Sequence, residues 1–72
     1  MNRNIEQDLI LSRIQKNINY AINLLDQDRT NEAREYLVGT VGGIKQLRTE
    51  KLKLQKRVDK ALDEIEARRP AY

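Results

Sequence analysis

The stretch REYLVGTVGGIKQLRTE, residues 34–50, holds all three glycines of a 72-residue chain, Gly39, Gly42 and Gly43. Whether it is a ligand loop, a break or a helix decides the fold. A phosphate-binding loop follows a strand and carries Lys-Ser/Thr or G-x-G-x-x-G spacing. Here the lysine is followed by Gln46, and helical periodicity flanks the glycines on both sides. Two readings therefore stay open. Each glycine costs about 1 kcal/mol against alanine inside a helix, enough to bend or break one at Gly39–Gly43. Against that, Leu37, Val41, Ile44 and Leu47 keep helical phase straight across.

Working outward, the same phase continues. Written as heptads, Leu37, Ile44, Lys51, Val58 and Ile65 take one seam position, and Thr40, Leu47, Leu54, Ala61 and Arg68 the other. A seam of this length predicts a long, coiled-coil-like second helix over about 31–69, stopped by Pro70, with Arg68 and Arg69 at the negative end of its dipole. Upstream, Leu11, Ile14, Ile18, Ala21, Ile22 and Leu25 recur at three- and four-residue steps, the mark of an amphipathic helix over about 4–27. Asn4, with Gln7 three residues on, suits its N-cap. Asp28 or Thr30 in the DQDRTNE break suits the cap of the second helix.

Two amphipathic helices and a short loop predict an all-α, antiparallel two-helix hairpin filling residues 1–72 as a single domain. AINLLDQDRTNEAREYL, residues 21–37, resembles the turn of a tetratricopeptide repeat through Ala21, Leu24, Leu25, Glu32, Ala33 and Leu37. The resemblance implies a helical hairpin. It carries no family function, because no second repeat follows. The overall form is similar to small two-helix secretion co-chaperones and to small phage-encoded inhibitors, and no motif separates the two.

Composition narrows the chemistry. There is no cysteine and no histidine, so disulfides are excluded and zinc, haem and iron–sulfur sites lose their usual ligands. No metal and no cofactor is expected. Asp26, Asp28 and Thr30 imitate the start of a calcium loop, but Asn31 replaces its glycine and Leu37 its closing glutamate. Asp63, Glu64 and Glu66 sit among Lys60, Arg68 and Arg69, with nothing nearby to assemble a nucleophile, a base and an oxyanion site. No catalytic residue is assigned, and a non-enzyme is expected. The longest apolar run near the N-terminus is Leu9-Ile10-Leu11, too short for a secretory core or a membrane span. The expectation is a soluble, cytoplasmic protein.

Net charge is +3, concentrated in residues 45–60. There Lys45, Arg48, Lys51, Lys53, Lys56, Arg57 and Lys60 face only Glu50 and Asp59. Lys45, Lys53, Lys56, Arg57 and Lys60 are the candidate contacts for an acidic partner or a nucleic acid. No aromatic residue is interleaved with them.

Partner-binding candidates come from helix length. Folded back from the turn, the first helix reaches only to about Leu54. Val58, Ala61, Leu62 and Ile65 are then an uncovered overhang. Ile5, Leu9, Tyr20 and Leu24 form a second apolar edge on the first helix. A chain this short buries little surface and usually needs a staple or a partner. The expected function is a small protein-binding module, an adaptor, co-chaperone or inhibitor, that self-associates or takes another protein's helix. The alternative is a small basic nucleic-acid-binding protein.

Overall fold

A computed structural model describes residues 5–68. The Asn4 cap and the Pro70 stop, with Arg69, lie outside the described residues. The described chain is all helical: α1 (Ile5–Asp26), α2 (Thr30–Ile44) and α3 (Lys51–Arg68). The single long second helix is therefore corrected to two helices. The chain turns at 45–50, after the glycines, and Gly39–Gly43 stay inside α2.

Two fastenings give the helix directions. The side chain of Gln7, near the start of α1, donates to the Gln46 carbonyl at 3.2 Å and accepts from the Arg48 N–H at 3.0 Å. Arg68, at the end of α3, donates to the Leu25 carbonyl near the end of α1 at 2.7 Å. So α3 runs parallel to α1 and antiparallel to α2, an up-down-up three-helix bundle. Its one core takes Ile14, Ile18, Ala21, Leu24 and Leu25 from α1, and Ala33, Leu37 and Ile44 from α2. Leu47 comes from the second turn, and Leu54, Val58, Ala61 and Ile65 from α3. The third helix supplies internally the wall that a two-helix hairpin would need from a partner.

The first turn closes as a Schellman motif. Arg29 N–H bonds the Leu24 carbonyl at 2.8 Å, and Asp28 N–H the Leu25 carbonyl at 3.0 Å. Asp28 takes the left-handed conformation this needs, with φ 61°, which a short polar side chain tolerates. Asp28 thus ends α1 and does not begin α2. Arg29 holds the N-cap position of α2 without a side-chain cap bond, and pairs with Glu32.

The second turn is built differently. Gln46 N–H bonds the Gly43 carbonyl and Leu47 N–H the Ile44 carbonyl, both at 3.0 Å, tightening the end of α2 into a 3₁₀-like turn. Leu47 then drops into the core. Glu50 reverses the chain with φ 65°, and its carbonyl accepts from Leu54 N–H at 3.1 Å to start α3.

Why α2 survives three glycines follows from what it packs. None of them has positive φ. Leu37, Thr40 and Ile44 are buried, and the Thr40 hydroxyl donates to the Tyr36 carbonyl one turn back at 2.6 Å. A Cβ on Gly39 or Gly42 would meet nothing within 4 Å, whereas one on Gly43 would lie 3.3 Å from Ile14 Cδ1 and Cγ1. Gly43 is where its missing side chain lets α1 come close. The other two face outward.

Candidate functional site

The bundle sorts the candidate residues into three groups. Val58, Ala61 and Ile65 are core residues, with Val58 at 0% exposure, and Leu62 packs against that core half-buried. The overhang that singled them out does not form, because the turn at 45–50 brings α3 back along α1. Leu24 is also buried: it belongs to the side of α1 that meets α2. Lys51, placed in the seam by its heptad position, is instead the exposed first residue of α3.

The rest of the second apolar edge is on the surface. Ile5 and Leu9, one turn apart, are 69% and 63% exposed. Tyr20, further along the same side, is partly exposed and leans edge-on against Tyr36 of α2, ring centroids 4.9 Å apart and planes at 80°. Such a pair contributes about 0.5–1.5 kcal/mol beyond the area it covers, so Tyr20 helps join α1 to α2. Val38 on α2 and Leu52 on α3 are exposed too, with Val38 beside Asn31, Arg34, Glu35 and Gly39 in a surface depression. Spacing alone could not reveal Leu52, since its neighbours Lys51 and Lys53 are charged.

All five basic candidates are exposed: Lys45 at the end of α2, and Lys53, Lys56, Arg57 and Lys60 on α3. Arg57 donates to the Asn19 side chain of α1 at 2.8 Å. Lys53 lies 3.7 Å from Glu50, an exposed pair that is worth little in water. Arg57 and Lys60 join Ile22, Ala61 and Glu64 around a groove of about 260 Å³ between α1 and α3.

The sequence placed Arg68 in the heptad seam and at the negative end of its own helix's dipole. Arg68 lies 3.5 Å from both Glu64 and Asp28 while bonding the Leu25 carbonyl, so it fastens the end of α3 to the first turn. Gln7 does the same at the other end of the bundle. Both are structural clasps that a linear pattern does not show.

Among the described residues, no group of three His, Cys, Asp or Glu side chains could hold a metal ion, and no helix is long and apolar enough to cross a membrane. No protein-family model, curated protein or solved structure matches the chain. Function has to be argued from the surface itself.

Proposed function

We propose that the chain is a small, non-enzymatic, cytoplasmic protein-binding module, and that it self-associates through the outer side of α1. The observation that carries this is the Ile5–Leu9 pair. The bundle puts its other large α1 side chains into the core or against a neighbouring helix, yet leaves these two uncovered on one turn. Isolated surface apolars are ordinary. Two on one face of α1, left uncovered by α2 and α3, form a patch that a second copy can cover. Covering each fully contributes about 1.5–3 kcal/mol before association costs, which suits a weak or transient complex. Adaptor, co-chaperone and inhibitor roles all use such a face.

Sedimentation equilibrium of the wild type and of Ile5→Ser/Leu9→Ser tests it. The wild type is expected to gain mass with concentration. The variant is expected to stay monomeric with an unchanged melting curve, because neither residue touches the core. A wild type that remains monomeric at millimolar concentration, or a variant that associates equally well, would remove the self-association reading.

A further inference from the structure

The face shared by α1 and α3 is of another kind, and we infer that it binds the phosphate backbone of duplex nucleic acid without reading sequence. Because the two helices are parallel and Arg57 is bonded to Asn19, their residues lie level in pairs. One turn toward the N-termini, Lys53 comes level with Gln15. One turn toward the C-termini, Lys60 comes level with Ile22, with which it lines one groove. A row of cations on α3 thus stands beside amide side chains on α1, all of them exposed. Lys53 to Lys60 spans about 10 Å at 1.5 Å per residue, and Lys56 lies next to the row on its outer side.

Charge and chemistry choose the ligand. Phosphate oxygens are bound by Lys and Arg together with neutral donors such as Asn and Gln, and this face offers that mixture. Protein–protein interface cores are depleted in lysine and built on apolar or aromatic anchors. The groove beside Arg57 and Lys60 has only Ile22, 38% exposed, and the buried Ala61 as apolar lining, and a single exposed apolar side chain, Leu52, stands at the start of the row next to Lys53. An acidic protein partner is therefore the poorer fit. Single strands are held by stacking on aromatic rings, and no aromatic residue is interleaved with the basic ones, which leaves the duplex. Carboxylates limit the row: Glu50 at its start, and Glu64 beyond Lys60. Asp59 accepts from Gln55 and lies round the helix on the opposite flank. The footprint is short and the affinity correspondingly weak and salt-dependent.

The test is fluorescence anisotropy of a labelled mixed-sequence DNA duplex over a range of salt. It compares the wild type with Lys53→Gln/Lys60→Gln and with Arg13→Gln/Lys16→Gln, which removes equal charge from exposed positions elsewhere on α1. The wild type is expected to bind at low salt. The α3 variant is expected to bind several-fold more weakly and to flatten the slope of log K against log salt by about 2, roughly one per lost phosphate contact. The α1 variant should change far less. Circular dichroism should show both variants fully helical, since all four side chains are exposed. No wild-type binding at low salt would overturn the inference. So would equal losses in the two variants, which would mean that net charge alone attracts DNA. Equally tight binding to polyglutamate would reassign the face to an acidic protein and overturn the inference as well.

Discussion

Residues 39–43 and 45–50 adjoin each other and behave in opposite ways. The first contains every glycine of the chain and remains helix. The second contains none, and there the chain reverses. Propensity alone predicts the reverse assignment, since glycine costs about 1 kcal/mol per helical position and Lys, Gln, Leu, Arg and Glu are all good helix formers. What separates them is burial. Across the glycines, Leu37, Thr40 and Ile44 keep α2 on the core, and Gly43 lets Ile14 approach. Past Ile44, a straight helix would carry Val58, Ala61 and Ile65 away from any neighbour. A reversal buries all three, with Leu47 and Leu54 beside them. Side chains worth about 1.5–3 kcal/mol each when buried outweigh a few tenths of propensity per residue and one non-glycine residue, Glu50, at positive φ.

The contrast can be broken most severely at Val58. If the chain did not reverse, a charge there would sit on an exposed overhang and leave the α1–α2 pair intact. Because it does reverse, Val58→Asp places a carboxylate in the centre of the core, and unfolding of the whole bundle is expected. Loss of helicity across all three elements in circular dichroism and amide-resolved NMR is the expected result. A variant whose α1 and α2 signals persisted would speak for the overhang.

Next is the turn itself. Leu47→Ala removes the buried side chain that ties the turn to the core and is expected to cost about 2–5 kcal/mol, read as a shift in urea midpoint. Arg48→Ala, one residue on and exposed, should cost under about 0.5 kcal/mol, since its link to Gln7 uses the backbone N–H.

The glycines give the third effect, of opposite sign. Gly42→Ala is expected to stabilise by up to about 1 kcal/mol, since a methyl group there meets open space. Gly43→Ala should gain clearly less or lose, because the new Cβ crowds Ile14. Thermal melts of the pair measure the difference, and equal gains would show that Gly43 is not a packing position.

The smallest effect sits at Glu50. Glycine there relieves the left-handed backbone while adding freedom to the unfolded chain, so Glu50→Gly should change stability by under about 0.5 kcal/mol. Glu35→Gly, on the exposed face of α2, should lose about 1 kcal/mol. Equal losses would argue that residue 50 is helical.

These residues also show how far the sequence could be read. The α1 helix was legible as an element, because its apolar stripe is long and the DQDRTNE break follows it. The survival of α2 through the glycines was one of two open readings, and the phase of Leu37, Val41 and Ile44 was the right signal for it. The same signal hid the real turn. Leu47 keeps heptad spacing with Ile44 and Leu54 because it points into the core from the turn, so the pattern runs unbroken through a non-helical segment. Periodicity reports which side chains are buried, and both a helix and a well-tucked turn satisfy it. The positive φ of Asp28 and Glu50 has no glycine to announce it. The Gln7 and Arg68 clasps join residues about forty positions apart, beyond any local pattern. Of the candidate surface residues, Ile5, Leu9 and the basic row stay exposed. Val58, Ala61, Ile65 and Leu24 were correctly read as apolar and misplaced outside the core, all but Leu24 because the second turn was missed.

That turn is the central claim, and a distance tests it most directly. The chain has no cysteine of its own, so Asp26→Cys/Ala67→Cys can carry one spin label at the end of α1 and one at the end of α3, both on exposed positions. Double electron–electron resonance on the labelled protein, diluted with unlabelled chain, reads their separation within one molecule. The bonded Arg68–Leu25 pair predicts a short separation, about two helix diameters or roughly 20 Å. A distribution centred near 55 Å, the length of an unbroken helix from residue 30 to residue 67 at 1.5 Å per residue, would contradict the three-helix bundle.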